Sequence, residues 1–189
     1  MGIAFTVVVP DMDELTSGPP EEVVLENAHR KAAAIAAGQL ASGNTESAGL
    51  LGQRATDDAE TVLGVDTVVA LGSVIYGKPG DREAAAVTLQ ALGGRSHRVL
   101  SGLCVIEDGR ARTAAAVTTV NFRPLDERTL AWYLDTGEWR GRAGGYAIQG
   151  RGAALVDSIE GDYLNVVGLP VATLLDLLPY LLFPAVFRQ

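Results

Sequence analysis

Residues 95–122 read RSHRVLSGLCVIEDGRARTAAAVTTVNF, two long stretches of apolar and β-branched residues on either side of Asp108-Gly109. An Asp-Gly pair between two such stretches is the strongest short hairpin signal, because its two-residue turn needs positive φ at both central positions. The reading is two antiparallel strands, 95–107 and 110–122. Upstream, residues 61–70 form a near-continuous apolar run with a single acid, Asp66, as suits a strand covered on both faces. Leu71-Gly72-Ser73 can then turn the chain into a short partner strand ending at Tyr76, and a helix capped by Asp81 stops at Gly93-Gly94. Downstream, a helix over 126–136 ends at Gly137. The glycine-rich stretch 141–152 leads into a strand up to Ile159, Gly161-Asp162 turns the chain, and a C-terminal core helix follows Pro170. Near the start, residues 3–9 suit a buried strand ended by Pro10, and Pro19-Pro20-Glu21-Glu22 opens a helix that runs to Gly38. Residues 41–60, rich in Ser, Gly, Asn, Thr and Asp, read as a long mobile loop. Helices and strands interleave and at least one hairpin is antiparallel. The expected fold is therefore a single α/β domain over 1–189, with a mixed, twisted sheet flanked by helices.

Composition narrows the function. With 189 residues, 48% apolar and 20% charged, the chain is long enough to bury a core and is unlike a disordered segment. Fifteen Lys and Arg against 23 Asp and Glu give a net charge of −8, which repels a nucleic-acid backbone at long range. Any anionic ligand must be held by local cations. The lone cysteine, Cys104, forms no internal disulfide and reads as a small core residue, which fits a reducing cytoplasm. One thiol and two histidines do not make a structural zinc site. The most apolar stretch, 169–187, is interrupted by Pro170, Asp176, Pro179 and Pro184, so no membrane span is expected there.

The residues that can carry chemistry begin with Asp66. An unpaired carboxylate in a buried strand is expensive unless it meets a cation or a metal. Glu14, in a loop after the first predicted strand, could join it on a hard divalent cation, for which all-oxygen ligation suits Mg²⁺ or Mn²⁺. The alternative is an Asp66 at a strand end that accepts from backbone amides. Lys78 lies in Gly72-Ser73-Val74-Ile75-Tyr76-Gly77-Lys78-Pro79, which imitates a phosphate-binding loop but ends in proline where that loop needs a hydroxyl and a helix start. What survives is a turn lysine available to an anion. Lys31 sits mid-helix on the face of Asn27, four residues earlier. In residues 143–152, glycines allow close backbone approach, Gln149 offers a donor and an acceptor, and Arg142 and Arg151 add charge that could offset a polyphosphate. His29 and His97 form no recognisable triad with a Ser or Cys.

Several segments fall in a distinctive order: Asp13-Glu14; Ala28-His29-Arg30-Lys31-Ala32; Gly64-Val65-Asp66-Thr67-Val68-Val69; Gly77-Lys78-Pro79; His97-Arg98-Val99; Ala143-Gly144-Gly145-Tyr146; Ile148-Gln149-Gly150-Arg151-Gly152; Ile159-Glu160-Gly161-Asp162-Tyr163; and Asn165-Val166-Val167-Gly168-Leu169-Pro170. The ordered set covers nearly the whole chain and resembles the Maf family, or septum formation proteins. These are nucleoside triphosphate pyrophosphatases with a fold similar to that of the inosine triphosphate pyrophosphatases. The resemblance implies that Asp66 is the proton acceptor that activates water, with Glu14, Lys31 and Lys78 completing a catalytic polar cluster. Thr67 and Gln149 match positions linked to nucleotide choice and are similar to the branch acting on dTTP and UTP. Also implied are a divalent cation (Mg²⁺ or Mn²⁺) held by Glu14 and Asp66, a homodimer, and a nucleoside triphosphate as the partner molecule. No membrane and no specific nucleic acid is expected.

The resemblance has two departures. Family members usually begin with a strand and a Ser-x-Ser-Pro-Arg-Arg segment that helps hold the phosphates, and Gly2-Ile3-Ala4-Phe5 aligns to the region after it. The chain is therefore expected to be N-terminally shortened. Arg140-Gly141-Arg142 stands where an Asp-Lys pair is common, so Arg142 keeps the positive charge while Gly141 loses the acid. The expected reaction is attack of metal-activated water on the α-phosphorus, giving a nucleoside monophosphate and pyrophosphate. The alternatives are a nucleotide-binding protein with impaired catalysis and a division-linked interaction protein.

Overall fold

The computed structural model describes residues 3, 5–38 and 61–182. Its spine is the hairpin of β3 (Ser96–Glu107) and β4 (Arg110–Phe122), in register from Ser96 opposite Asn121 to Glu107 opposite Arg110. Asp108 and Gly109 have φ of 50° and 73°, the left-handed pair that the Asp-Gly turn demands. On the other edge of β3 lies β1 (Val62–Leu71), antiparallel, with Asp66 opposite Gly102. The short β2 (Val74–Tyr76) pairs with β1, and β5 (Val156–Glu160) pairs with β4. The sheet order is β2-β1-β3-β4-β5, and every pairing is antiparallel.

The α/β class is as expected, but among the described residues the sheet is antiparallel rather than mixed. The reason is local. Gly72 and Ser73 reverse the chain into β2, so the crossover through α2 (Arg82–Leu92) starts from a returned strand and delivers β3 antiparallel to β1.

Helix α1 (Pro20–Ala36) covers one face of β1 and β3 by direct backbone approach. A Cβ built on Gly64 would lie 2.2 Å from the Ala28 carbonyl oxygen, and one on Gly102 would lie 2.2 Å from that of Val24. Only glycine admits the helix at that distance. Val23, Val24, Val68, Ala70 and Leu100 close this layer. On the opposite face, Leu89 and Leu92 of α2, Tyr133 and Leu134 of α3 (Glu127–Thr136), and Val99, Val120 and Phe122 of the sheet form the larger core. The side chains of Asp81 and Asp126 cap α2 and α3 by accepting from Ala84 and Thr129 backbone N–H groups, both at 2.7 Å.

Three expectations fail or fall outside the structure. Residue 3 and residues 5–10 form no strand, and Phe5, Val7 and Val9 stand exposed. β-branched composition favours a strand only when a neighbouring strand and a buried face are available, and among the described residues no strand pairs with the segment. The helix expected after Pro170 is only α5 (Val171–Leu177), which Pro179 breaks into a 3₁₀ turn, Pro179–Leu181, and a short helix not foreseen, α4 (Tyr163–Val167), precedes it. The predicted loop 41–60 lies outside the described residues. No helix among those described is long and apolar enough to cross a membrane.

Candidate active site

β2 pairs only with Val69–Leu71, so the preceding half of β1 has no strand neighbour on that side among the described residues. Side chains from both faces of β1 therefore reach one opening. A cleft of about 530 Å³ lies there, bounded by the loop around Glu14, by α1, by the turn after β2, by the glycine-rich loop and by α4. Glu14, Lys31, Asp66, Thr67, Lys78, Arg142 and Gln149 all line it. Of the predicted site residues only Arg151 does not: its backbone N–H is turned to Glu138, and it lies outside the cleft wall.

At the floor, Asp66 is 6% exposed. Its Oδ1 takes Lys31 Nζ at 2.6 Å, and its Oδ2 accepts from Asn27 Nδ2 at 3.0 Å. Lys31 also reaches Glu14 Oε1 at 2.7 Å, so one ammonium bridges two carboxylates. Asn27 and Lys31 are one helical turn apart on α1, which aims both at Asp66 across the glycine contact. The buried carboxylate thus meets a cation and a side-chain amide. The expected alternative, a strand-end acid accepting from backbone amides, is not what these contacts show.

Electrostatics follow from these contacts. The hydrogen bond from Lys31 pulls the Glu14 carboxyl below its ordinary value; burial opposes this, and the charges of Lys31 and Lys78 add to the lowering. For Lys31, burial opposes the charged form, but the hydrogen bonds and charges of Asp66 and Glu14 together outweigh it, so its pKa rises. Glu14 and Lys31 are therefore both charged near neutrality.

A metal can be tested against this donor set. Among the described residues, no three of His, Cys, Asp and Glu come together. Glu14 and Asp66 offer hard carboxylate oxygens on the cleft wall, which suits Mg²⁺ or Mn²⁺ shared with a ligand's phosphates and not an all-protein cage. The residues fit such an ion.

The remaining wall is shaped by second contacts. Thr67 Oγ1 shares a hydrogen bond with Ser101 Oγ at 2.8 Å, which fixes its hydroxyl beside Gly168. Tyr146 lines the cleft with its hydroxyl on His97 Nε2 at 2.9 Å. Burial pushes the His97 pKa down to about 4, so this histidine is neutral and supports the tyrosine. Gly144, with φ of 67°, packs against Val69 where a Cβ would come within 2.8 Å, and its N–H donates to Gly77 O at 3.1 Å. This docks the glycine-rich loop beside Lys78.

Sequence reasoning passed over Asn27, Ser101 and Tyr146 as site residues. Asn27 had one signal, its helical spacing from Lys31. Tyr146 stood in a distinctive motif without an assigned role. Ser101 had none, because its position opposite Thr67 exists only once β1 and β3 pair.

Among known proteins, a dTTP/UTP pyrophosphatase of Symbiobacterium thermophilum is 38% identical over 186 residues, 97% of this chain and 87% of the relative. One of Pelotomaculum thermopropionicum is 41% identical over 182 residues, 94% of this chain and 86% of the relative. One of Pyrococcus furiosus is 46% identical over 119 residues, 63% of each chain, so the match spans less than two thirds of that relative. The family model described as Maf-like protein matches residues 1–181, and with that coverage the chain belongs to the Maf family.

Proposed function

We propose that this protein hydrolyses nucleoside triphosphates to nucleoside monophosphate and pyrophosphate, with dTTP and UTP as its preferred substrates. The observation that carries the reading is the bridge of Lys31 between Asp66 and Glu14, on the floor of a cleft that Lys78 and Arg142 also line. A net charge of −8 makes this local gathering of cations the feature that admits a polyphosphate. The names of the relatives support the choice of dTTP and UTP.

The chemistry of the residues follows from charge. A triphosphate entering the cleft competes for Lys31, Lys78 and Arg142, and as Lys31 turns toward phosphate oxygens it frees Asp66 Oδ1 to accept a proton. Asp66 then deprotonates a water as its oxygen attacks the α-phosphorus. The bond from that phosphorus to the bridging oxygen breaks, the electron pair leaves with pyrophosphate, and Lys31, Lys78 and Arg142 stabilise the charge that develops there. Asn27 holds Asp66 Oδ2, so the carboxylate keeps its orientation when Lys31 moves. Glu14 and Asp66 would hold a divalent cation, Mg²⁺ or Mn²⁺, which when bound supplies charge screening for the phosphates and acidifies nearby water. Thr67 and Gln149 face the base and sugar end. A homodimeric state and a cytoplasmic site of action complete the proposal. The first is supported by the family resemblance and the second by the lone unpaired cysteine.

The test is hydrolysis of dTTP and UTP with Mg²⁺, following both phosphate products. Pyrophosphate release that disappears in Asp66→Asn is expected. Release of orthophosphate alone, or full activity in that variant, overturns the reading. Light scattering checks the dimer.

A further inference from the structure

Gln149 sits on a loop held at one end by α3 and at the other by the turn that follows that helix. At the leading end, the Ala147 backbone N–H donates to the Tyr133 hydroxyl at 3.1 Å, and Tyr133 is fully buried in α3. At the trailing end, Glu138 Oε2 accepts from the backbone N–H groups of Arg151 at 2.7 Å and Gly152 at 3.3 Å. Those groups begin the 3₁₀ turn Arg151–Leu155, whose first N–H groups would otherwise lack an acceptor, and a carboxylate is the strongest acceptor for them. Glu138 is fixed in turn. Its own N–H donates to Thr136 Oγ1 at 3.1 Å, and the Thr136 hydroxyl donates to Tyr133 O at 2.6 Å. The approach leaves no room at Gly150, where a Cβ would lie 2.6 Å from Glu138 Oε2.

We propose that Glu138, outside the catalytic cluster, is a positioning residue for nucleobase selection: with Tyr133 it sets the place of Gln149 on the cleft wall, so that the site favours pyrimidine nucleoside triphosphates. This rests on the reading of Gln149 as the residue that meets the base. Glu138 touches no part of the cleft floor. Its carboxylate acts through the loop backbone, so its loss displaces the Gln149 amide and leaves Asp66, Lys31 and Glu14 where they are.

The experiment compares kcat and KM for dTTP, UTP, ATP and GTP across Glu138→Ala, Glu138→Gln, Gly150→Ala and Gln149→Ala. In Glu138→Ala the preference in kcat/KM for pyrimidine over purine nucleotides falls about tenfold, the scale of losing a hydrogen bond to a charged acceptor, with most of the change in KM for the pyrimidines. Glu138→Gln, which keeps a carbonyl oxygen for the same two N–H groups, retains most of the preference. Gly150→Ala reproduces the loss by forcing the loop and the carboxylate apart, and so tests the clamp even if Glu138→Ala folds poorly. Equal losses on all four nucleotides, or an unchanged preference in Glu138→Ala and Gly150→Ala while Gln149→Ala alters it, overturn the inference alone. An unchanged preference in Gln149→Ala removes its premise, and the inference falls with it.

Discussion

The ammonium of Lys31 rests 2.6 Å from Asp66 Oδ1, inside a cleft that opens where β2 stops pairing with β1. In that resting arrangement the oxygen proposed to take a proton from water is occupied by a cation. In the proposed mechanism, arrival of a phosphate frees it, which would link substrate binding to the appearance of the base. Asp66→Asn keeps the shape and one acceptor oxygen, enough for Lys31 or for Asn27 but not for both, and cannot accept a proton at neutral pH. The expected loss in kcat is about 10²–10⁴-fold, the range for removing a general base, with the folded structure retained. Pyrophosphate release and circular dichroism melts on the same preparation check the two halves of that expectation.

Lys31→Met probes the same contact from the other side. Asp66 stays buried with only Asn27 as partner, and breaking a buried pair by deleting one member typically costs about 3–5 kcal/mol. The pH dependence of the Lys31–Glu14 pair has a definite sign. Glu14 is lowered from 4.5, so its contribution is present above that value and is lost as pH falls through its folded-state pKa. Lys31 is raised from 10.5, so its contribution is present below that value and is lost as pH rises through its folded-state pKa. The difference in denaturation midpoint between wild type and Glu14→Gln is therefore flat between about pH 4.5 and 10.5 and narrows beyond either end. A difference that changes steeply at neutral pH would contradict the pairing.

His97 supplies an acid limb of its own. It is 2% exposed, lies edge-on to Phe122 and Tyr146, and burial holds its pKa at about 4 instead of 6.5. A base that is harder to protonate in the folded state gives full stability above its unfolded value. That stability declines as pH drops from 6.5 toward 4, by an amount on the order of 3 kcal/mol. Unfolding midpoints in urea should fall over that window in wild type. They should fall much less in His97→Gln, which can still hydrogen-bond Tyr146 but does not titrate.

The parts of this fold that were legible in the sequence are those decided by neighbours in the chain. Asp108-Gly109 names its turn, Asp81 names its cap, and the acid in an apolar run marks Asp66 as needing a cation. The parts that were not legible depend on what the chain meets elsewhere. Residues 3–9 have the composition of a strand, but among the described residues no strand pairs with this segment, and strand propensity without a partner leaves Phe5 and Val7 in solvent. Strand direction was missed because the reversal at Gly72-Ser73 changes which way β3 must run. Asn27 and Ser101 gain their roles only when α1 and β3 are laid against β1, a placement with no local signature.

That placement depends on two positions without side chains. Gly64 and Gly102 lie under α1, where an added Cβ would come within 2.2 Å of the carbonyl oxygens of Ala28 and Val24. Such contacts are with helix backbone, which cannot rotate aside as a flexible side chain can, so Gly102→Ala must lift α1 or bend β3. Overpacking of this kind costs about 1–3 kcal/mol, at the upper end when backbone is the obstacle. Because Asp66 sits opposite Gly102 in the β1–β3 register, lifting α1 also withdraws Asn27 and Lys31 from Asp66. Gly102→Ala should therefore lose both stability and kcat, whereas Gly109→Ala, at a turn open to solvent but with φ of 73°, should lose stability alone. Urea denaturation paired with pyrophosphate release separates these outcomes. Full turnover in a folded Gly102→Ala protein would show that the seating of the helix does not govern the site.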